Sequence, residues 1–506
     1  MAVQINGTPV PFIRSWKGLD HLGIGGVMTM GGCTRLLTRL RGMSRVCGMN
    51  RRQFLKSASS TLALLTAARY VPTTLAAESP LRVGLIGTGW YGKGSLLRLL
   101  QVAPAEVVSI CDVDSRMVSE AAELIASRQK SGRKPRVYSD FRKMIGEKDV
   151  DVMMVSTPDH WHAVPAITAM QSGMDVYVEK PTGVDVKESQ AMVAAARKYN
   201  RIVQVNTQRR STPHLVEAKE EIIGAGKLGK IQRVEIGCYW HMRNRATVEN
   251  APDMPAPEYL DYEMWTGPAP MQPFNRIIHP RGWRAYMEYG NGIVGDMCVH
   301  MLDMVRWLLD LGWPKTVTSW GGILADQAAR ANITDTQTAI YEYDDFNVTW
   351  NHRTWGKSPE PDPDFQWFGT IYGEKGTLKC SVFRYDFIPA GTDKVERSRK
   401  ALFEYDKYPE DETEKDLERH VASAMRRHWL NFLEARRNRG SMLPVADIEQ
   451  AHISSSSCFL ANHSQALGRA LRWDSEKHEV VGDREANEML WRGYRGPWVH
   501  PDPAKV

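Results

Sequence analysis

The chain has 506 residues, 42% of them hydrophobic and 25% charged, which suits at least two domains with real cores and neither a disordered tail nor an integral membrane protein. Seven cysteines are too few for a disulfide scaffold. The net charge of +6 points to nucleic acid only until it is located. Residues 1–77 hold ten Lys/Arg and one acid, so the rest carries 55 basic and 58 acidic residues, a mildly acidic body.

Residues 1–48 are Gly-rich with scattered Arg and no sustained period, so no fold is assigned to them. They are expected to be a misassigned leader upstream of a true start at Met43 or Met49, or else a long n-region. Residues 49–56 read MNRRQFLK, a twin arginine before a Phe-Leu step and a lysine, the pattern of a bacterial Tat export signal. The apolar stretch that follows is interrupted by Arg69, too short and polar for a membrane span, and it ends in small residues with a cut expected after Ala76 or Ala77. No cysteine sits at the cut, so no stable membrane anchor is expected. Residues 49–77 therefore predict a protein that engages the Tat machinery, crosses the membrane folded, and works in the periplasm or outside. The five later cysteines form no CxxC or Cys/His cluster, and no metal is expected.

Residues 78–210 alternate short apolar strands with amphipathic helices. LRVGLIG, EVVSICDVD, VDVMMVSTP, MDVYVEKP and RIVQVNTQ read as strands, and SLLRLLQ, SRMVSEAAELIASRQ, HAVPAITAMQSG and VKESQAMVAAARKYN as helices. This rhythm predicts an α/β Rossmann domain, a doubly wound parallel sheet with its ligand at the strand C-termini. At the first strand-to-helix turn Gly87, Gly89 and Gly92 form GxGxxG around Trp90 and Tyr91. These glycines permit the tight turn, the approach of a pyrophosphate and close helix packing. Asp112, at the end of the second strand, is placed to accept ribose hydroxyls and repel a 2′-phosphate, which favours NAD over NADP. Ser156, Thr157, Pro158 and His162 follow the next strand, beside the expected nicotinamide. Glu179 and Lys180 end the strand after it and are expected to bind the cofactor, beside which a lysine could reach the reacting hydroxyl; the same two residues fit a surface ion pair equally well.

After about Ser211 the rhythm stops. KIQRVEIGCYWH reads as a strand, and a Pro-, Trp- and Arg-rich stretch follows that offers substrate candidates: Trp240, His241, Arg243, His279, Arg281 and Trp283, with Asn206, Gln208 and Arg210 at the last strand's end. GNGIVGDMCVHMLDMVRWLLDLG reads as a helix that carries Asp296, His300 and Asp303 on one face. On spacing alone such an Asp/His pair is an ordinary polar contact. TVTSWGGIL, TQTAIYEYDDFNVTW and GTLKC predict strands with one covered face. Residues 384–425 are expected to be an exposed charged loop leading into a helix. HWLNFLEARRNR and AHISSSSCFLANHSQALGRAL read as helices, and the tail 486–506 as a segment lying across a surface.

GTGWYG, Asp112, TPDHWH, EKP and the DxxxHxxD of Asp296, His300 and Asp303 together resemble the Gfo/Idh/MocA oxidoreductases. The resemblance spans most of residues 80–475. It implies an NAD-binding Rossmann domain followed, over 211–485, by an α+β domain with an open, mostly antiparallel sheet that covers the nicotinamide and forms the sugar site. It also implies that Lys180, Asp296 and His300 are catalytic: His300 as base, Lys180 on the developing alkoxide, Asp296 on a substrate hydroxyl or on the histidine, with Asp303 structural. Association into dimers or tetramers through the exposed sheet face would follow from the same resemblance. The expected function is oxidation of a sugar, polyol or glycoside with a tightly held, internally recycled NAD. Redox-neutral glycoside cleavage and a non-catalytic sugar-binding protein are the alternatives.

Overall fold

The computed structural model describes residues 79–239, 251–325, 327–328, 330–415 and 417–506. The leader, the twin-arginine signal and the candidates Trp240, His241 and Arg243 lie outside the described residues.

The first sheet is built from β1 (Leu81–Ile86), β2 (Ala105–Cys111), β3 (Arg136–Tyr138), β4 (Val152–Val155), β5 (Asp175–Val178) and β6 (Val203–Val205). Their order is β3-β2-β1-β4-β5-β6 and every pairing is parallel. VMMV of β4 is buried at every position, as a strand covered on both faces must be. The crossovers carry α1 (Trp90–Val102), α2 (Ser115–Arg128), α3 (Phe141–Gly146), α4 (Ala163–Gln171) and α5 (Val186–Lys198). Aspartates start three of them: Asp114 accepts from Arg116 N and Met117 N, Asp140 from Arg142 N, and Asp185 from Glu188 N.

The second sheet comprises β7 (Ile231–Cys238), β8 (Thr316–Gly322), β9 (Thr336–Glu342), β10 (Asn347–Arg353), β11 (Trp367–Gly373), β12 (Gly376–Ser381), β13 (Arg384–Pro389), β14 (Arg397–Lys400), β15 (Leu471–Asp474) and β16 (Glu479–Val480). Among the described residues its order is β14-β13-β12-β11-β7-β10-β9-β8-β15-β16, antiparallel except where β7 meets β10. β9 buries Gln337, Ala339 and Tyr341 and turns Thr338 outward, the alternation of a sheet covered on one side. The cover comes from α6 (Val299–Leu308) and, past α7 (Arg419–Arg437), from α8 (Ile448–Leu467). Met301, Leu302, Val305 and Phe459 pack there against Tyr341 and Trp350.

Two differences from the sequence reading have physical causes. Arg384–Pro389 and Arg397–Lys400 form strands β13 and β14, the second of them at the sheet edge, rather than a loop. The RSRK of β14 is charged because an edge strand so decorated resists pairing with another chain. The helix over HWLNFLEARR packs on the Rossmann domain: Trp429 stacks on Tyr177 at 3.7 Å and donates Nε1 to Ser95 O at 3.0 Å. The segment 211–485 thus contributes a helix to the first domain's core.

Candidate active site

The glycine loop leaves β1 with Gly87 at φ = 90°, where a Cβ would sit 2.5 Å from Ser156 O. A Cβ on Gly92 would sit 2.5 Å from Gly87 O. Gly89, the residue before α1, is different: a Cβ there would have Met117 Cε as its nearest neighbour at 3.9 Å. Its open side faces a cleft bounded by the loop, Trp90, Tyr91, Asp112, Ser156–Pro158, His279 and Trp283.

Donors and acceptors on these walls fit a dinucleotide. Asp112 Oδ2 accepts from Thr88 N at 2.7 Å and Thr88 Oγ1 at 2.9 Å, and Oδ1 accepts from Asp114 N at 3.0 Å. A carboxylate offers about four lone-pair positions, so capacity remains for a ribose hydroxyl. Ser156 Oγ and Thr157 Oγ1 are buried on the facing wall with no protein partner. The N-terminus of α1 points its free N–H groups into the loop, as a pyrophosphate requires.

Lys180 and Asp296 meet although 116 residues apart. Lys180 Nζ donates to Asp296 Oδ1 at 2.6 Å and to its backbone O at 2.8 Å. Arg284 Nε stands 3.4 Å from Asp296 Oδ2. Burial works to raise the Asp296 pKa, but the charges of Lys180 and Arg284 hold it below the usual range. His300 follows one turn later, after residues Val294–Cys298 have formed a wider π-type turn. Its ring is buried, edge-on to Trp367 at 5.3 Å, and Nδ1 has no protein partner. Burial, then the charges of Lys180 and Arg209, push its pKa well below 6.5, so the imidazole is neutral. Asp303 lies apart from this group. It takes both arms of Arg210, at 2.8 and 2.9 Å, plus Ser454 Oγ.

The other candidates divide. Trp283 lines the cavity with Arg284 over its ring. His279 lines it too and bonds Asp114 Oδ2 at 3.0 Å. Arg281 lies over the Trp90 ring at 4.3 Å. Glu179 sits behind the site: Asn206 Nδ2 donates to it at 2.6 Å, Tyr177 OH donates to Asn206 Oδ1 at 2.8 Å, and burial raises the Glu179 pKa to about 7. Gln208 donates to Tyr91 OH. Asn206 and Arg210, expected to face substrate, are instead committed to these internal bonds, because a strand end buried between two domains must satisfy its polar groups internally. His162, expected beside the nicotinamide, is wedged with Nδ1 2.6 Å from Pro181 O and Nε2 3.0 Å from Thr157 O; it ties the two strand exits together.

Three residues escaped the sequence reading. Asp159, inside TPDHWH, is buried within reach of the charges of Lys180, Asp296 and Arg284, and burial raises its pKa to about 8 against the pull of Lys180. Arg284 was hidden by its neighbour Trp283. Arg209 stood between two residues that were singled out. Acidic or basic character was the only local signal for any of them.

Fold and site together define a two-domain protein with a dinucleotide-binding Rossmann domain. A family model described as the oxidoreductase family, NAD-binding Rossmann fold, matches residues 81–207, and its C-terminal alpha/beta domain matches 214–349, together just over half the sequence. The chain belongs to the Gfo/Idh/MocA oxidoreductase family.

Among relatives, a "Glycosyl hydrolase family 109 protein" of Shewanella pealeana is 30% identical over 172 residues, covering 30% of this chain and 37% of the relative. An "Inositol 2-dehydrogenase" of Salmonella paratyphi B is 31% identical over 152 residues, covering 30% and 43%. The matched segment thus spans well under half the length of these curated relatives. A levoglucosan dehydrogenase solved in complex with NADH and levoglucosan shares the fold, with a TM-score of 0.57 and 19% identity over 78% of this chain and 99% of that one.

Proposed function

We propose that the protein is an NAD-dependent oxidoreductase acting on a hydroxyl of a sugar, polyol or glycoside. The observation that carries this reading is the convergence of Lys180, Asp296 and a neutral His300 beside a cavity that fits a dinucleotide. NAD, when bound by the glycine loop, Asp112, Ser156 and Thr157, supplies the hydride acceptor. Asp296 occupies two of the three Lys180 donors, which orients the ammonium and leaves one N–H for a substrate oxygen. That N–H stabilises negative charge on the oxygen as its proton departs. His300 receives the proton on a ring nitrogen. Its Nδ1 is fixed by no protein bond, so either tautomer can present a lone pair. Trp283 supplies an apolar face suited to the C–H surface of a sugar ring.

The export reading of residues 49–77 belongs to the same proposal. A periplasm has no pool to regenerate exchanging NAD, so the nucleotide would be retained and recycled in the site. Purified protein would be denatured and its NAD, NADH and NADP quantified by mass spectrometry, followed by a sugar and glycoside panel. Near-stoichiometric NAD and turnover of at least one carbohydrate are expected; no nucleotide and no turnover would leave only a sugar-binding scaffold. Arg51→Lys with Arg52→Lys is expected to block export.

Similarity to glycosyl hydrolase family 109 proteins favours a second reading. Transient oxidation of a sugar hydroxyl to a ketone would acidify the adjacent C–H, elimination would release the aglycone and leave an enone, water would add across its double bond at the anomeric carbon, and re-reduction of the ketone would restore the sugar. Aglycone release without net change in nucleotide would select it.

A further inference from the structure

Every deeply buried arginine but one pairs with a carboxylate or donates to a carbonyl oxygen. Arg98 pairs with Asp411 and Glu414, Arg210 with Asp303, and Arg426 with Glu404 and Asp411, while Arg306 donates to the carbonyls of Gly312, Leu311 and Gln450. Arg209 is the exception. It is 2% exposed, and among the described residues it forms no ion pair; its Nε and Nη1 have no hydrogen-bond partner, which is also true of Arg98, but Arg98 has two carboxylates beside it. Tyr91 and then Glu418 act on Arg209 through space, and Glu418 is shared with Lys180. A buried guanidinium without acceptors is costly, because each unmet donor forfeits its hydration.

Its place is informative. The guanidinium carbon lies 4.9 Å from the Trp367 ring centre, and the same ring lies 5.3 Å from the His300 imidazole. Arg209 and the proposed base thus share one indole neighbour. Other polar atoms beside Arg209 are also unpaired: Gln208 Oε1, Thr207 Oγ1 and His214 Nδ1. We propose that Arg209 is the substrate's anion receptor, and that the substrate is a carboxylate-bearing sugar, such as a uronic acid or its glycoside, whose carboxylate takes the guanidinium fork while its hydroxyl meets Lys180 and His300. A planar fork is the side chain best matched to a carboxylate.

This inference rests on the oxidoreductase reading above, and the test separates the two. NAD-loaded full-length protein is assayed with glucuronate, galacturonate and their methyl glycosides, each beside its methyl ester and its neutral parent sugar. Reduction of NAD and thermal shift are the readouts. The acids are expected to have KM values about 10- to 100-fold below those of their esters, the worth of a charge-assisted hydrogen bond. Arg209→Gln is expected to erase that preference, and Arg209→Lys to restore part of it. Should Arg209→Gln fail to fold, the acid-to-ester ratio of the wild type decides. Turnover of neutral sugars or esters with no preference for the acids overturns the carboxylate proposal and leaves the oxidoreductase reading standing. No turnover and no thermal shift with any of these compounds overturns both.

Discussion

Lys180 has a divided duty, since the carboxylate that aims it also competes with substrate for its donors. Replacing it by Met removes the donor that meets developing negative charge and strands Asp296. kcat/KM should fall at least about 100-fold, while retained NAD stays unchanged, because the glycine loop and Asp112 do not touch Lys180. Full activity in Lys180→Met would remove the lysine from the mechanism.

Asp159 carries a different kind of prediction. Its pKa is raised to about 8 by burial, so the folded protein keeps a proton that the unfolded chain has lost above pH 4 or so. The associated stability is complete below the unfolded pKa and declines as pH rises through about 8. Asp159→Asn removes this loss. The variant should gain on the wild type between pH 5 and pH 9, by on the order of several kcal/mol at the upper bound. An inflection near pH 8 in the kcat/KM profile should disappear with it. Parallel melting curves across that range would show that the carboxyl ionises normally.

At the scale of elements, the first two glycines of the loop separate folding from binding. Gly87→Ala forces a methyl to 2.5 Å from Ser156 O at a left-handed φ, and should destabilise the protein by more than about 1 kcal/mol. Gly89→Ala meets nothing closer than 3.9 Å and should melt like the wild type, yet lose its nucleotide because the methyl stands where the pyrophosphate must approach. Loss of stability in Gly89→Ala with NAD still bound would contradict this division.

The loop and the βαβ rhythm were legible because their causes are local: an apolar period, a capping aspartate, a turn that only glycine can make. The Lys180–Asp296–His300 group was legible only through the family resemblance, since nothing in the spacing joins residue 180 to residue 296. The bonds that Arg210 and Asn206 make were hidden for the same reason. A polar residue at a strand end looks alike whether it faces a ligand or a buried partner, and Arg210's partner Asp303 lies 93 positions away. The edge strand over 397–400 was missed because it carries the charge of a loop.

At the scale of the whole molecule, the C-terminal tail binds the two walls of the site to each other. Arg492 donates to Met287 O, Gly290 O and Asn291 Oδ1 on the segment leading to Asp296, and its backbone N donates to Asp185. Tyr494 OH donates to Glu188 at 2.6 Å, His500 bonds Asp185 at 2.8 Å, and Trp498 packs edge-on against Trp161 at 4.7 Å. Trp161 lines the nucleotide cavity on its other side. Removing residues 491–506 should therefore lower the melting temperature and weaken NAD retention together.

The pH dependence of that effect follows from two groups with the same sign. Burial and the neighbouring Asp185 raise the Glu188 pKa. Burial opposes protonation of His500, but its bond to Asp185 outweighs this and raises its pKa. Each group holds a proton in the folded protein that it releases more readily when unfolded, so the stability they lend is greatest at low pH. It is lost as pH rises through their raised values. Truncation exposes Glu188 to water and deletes His500, which removes both contributions. The gap in melting temperature between intact and truncated protein should be wide at pH 6 and narrow toward pH 9. A gap that is constant or that widens with pH would mean that the tail is held by its apolar contacts and by Arg492, with Glu188 and His500 adding nothing that titrates.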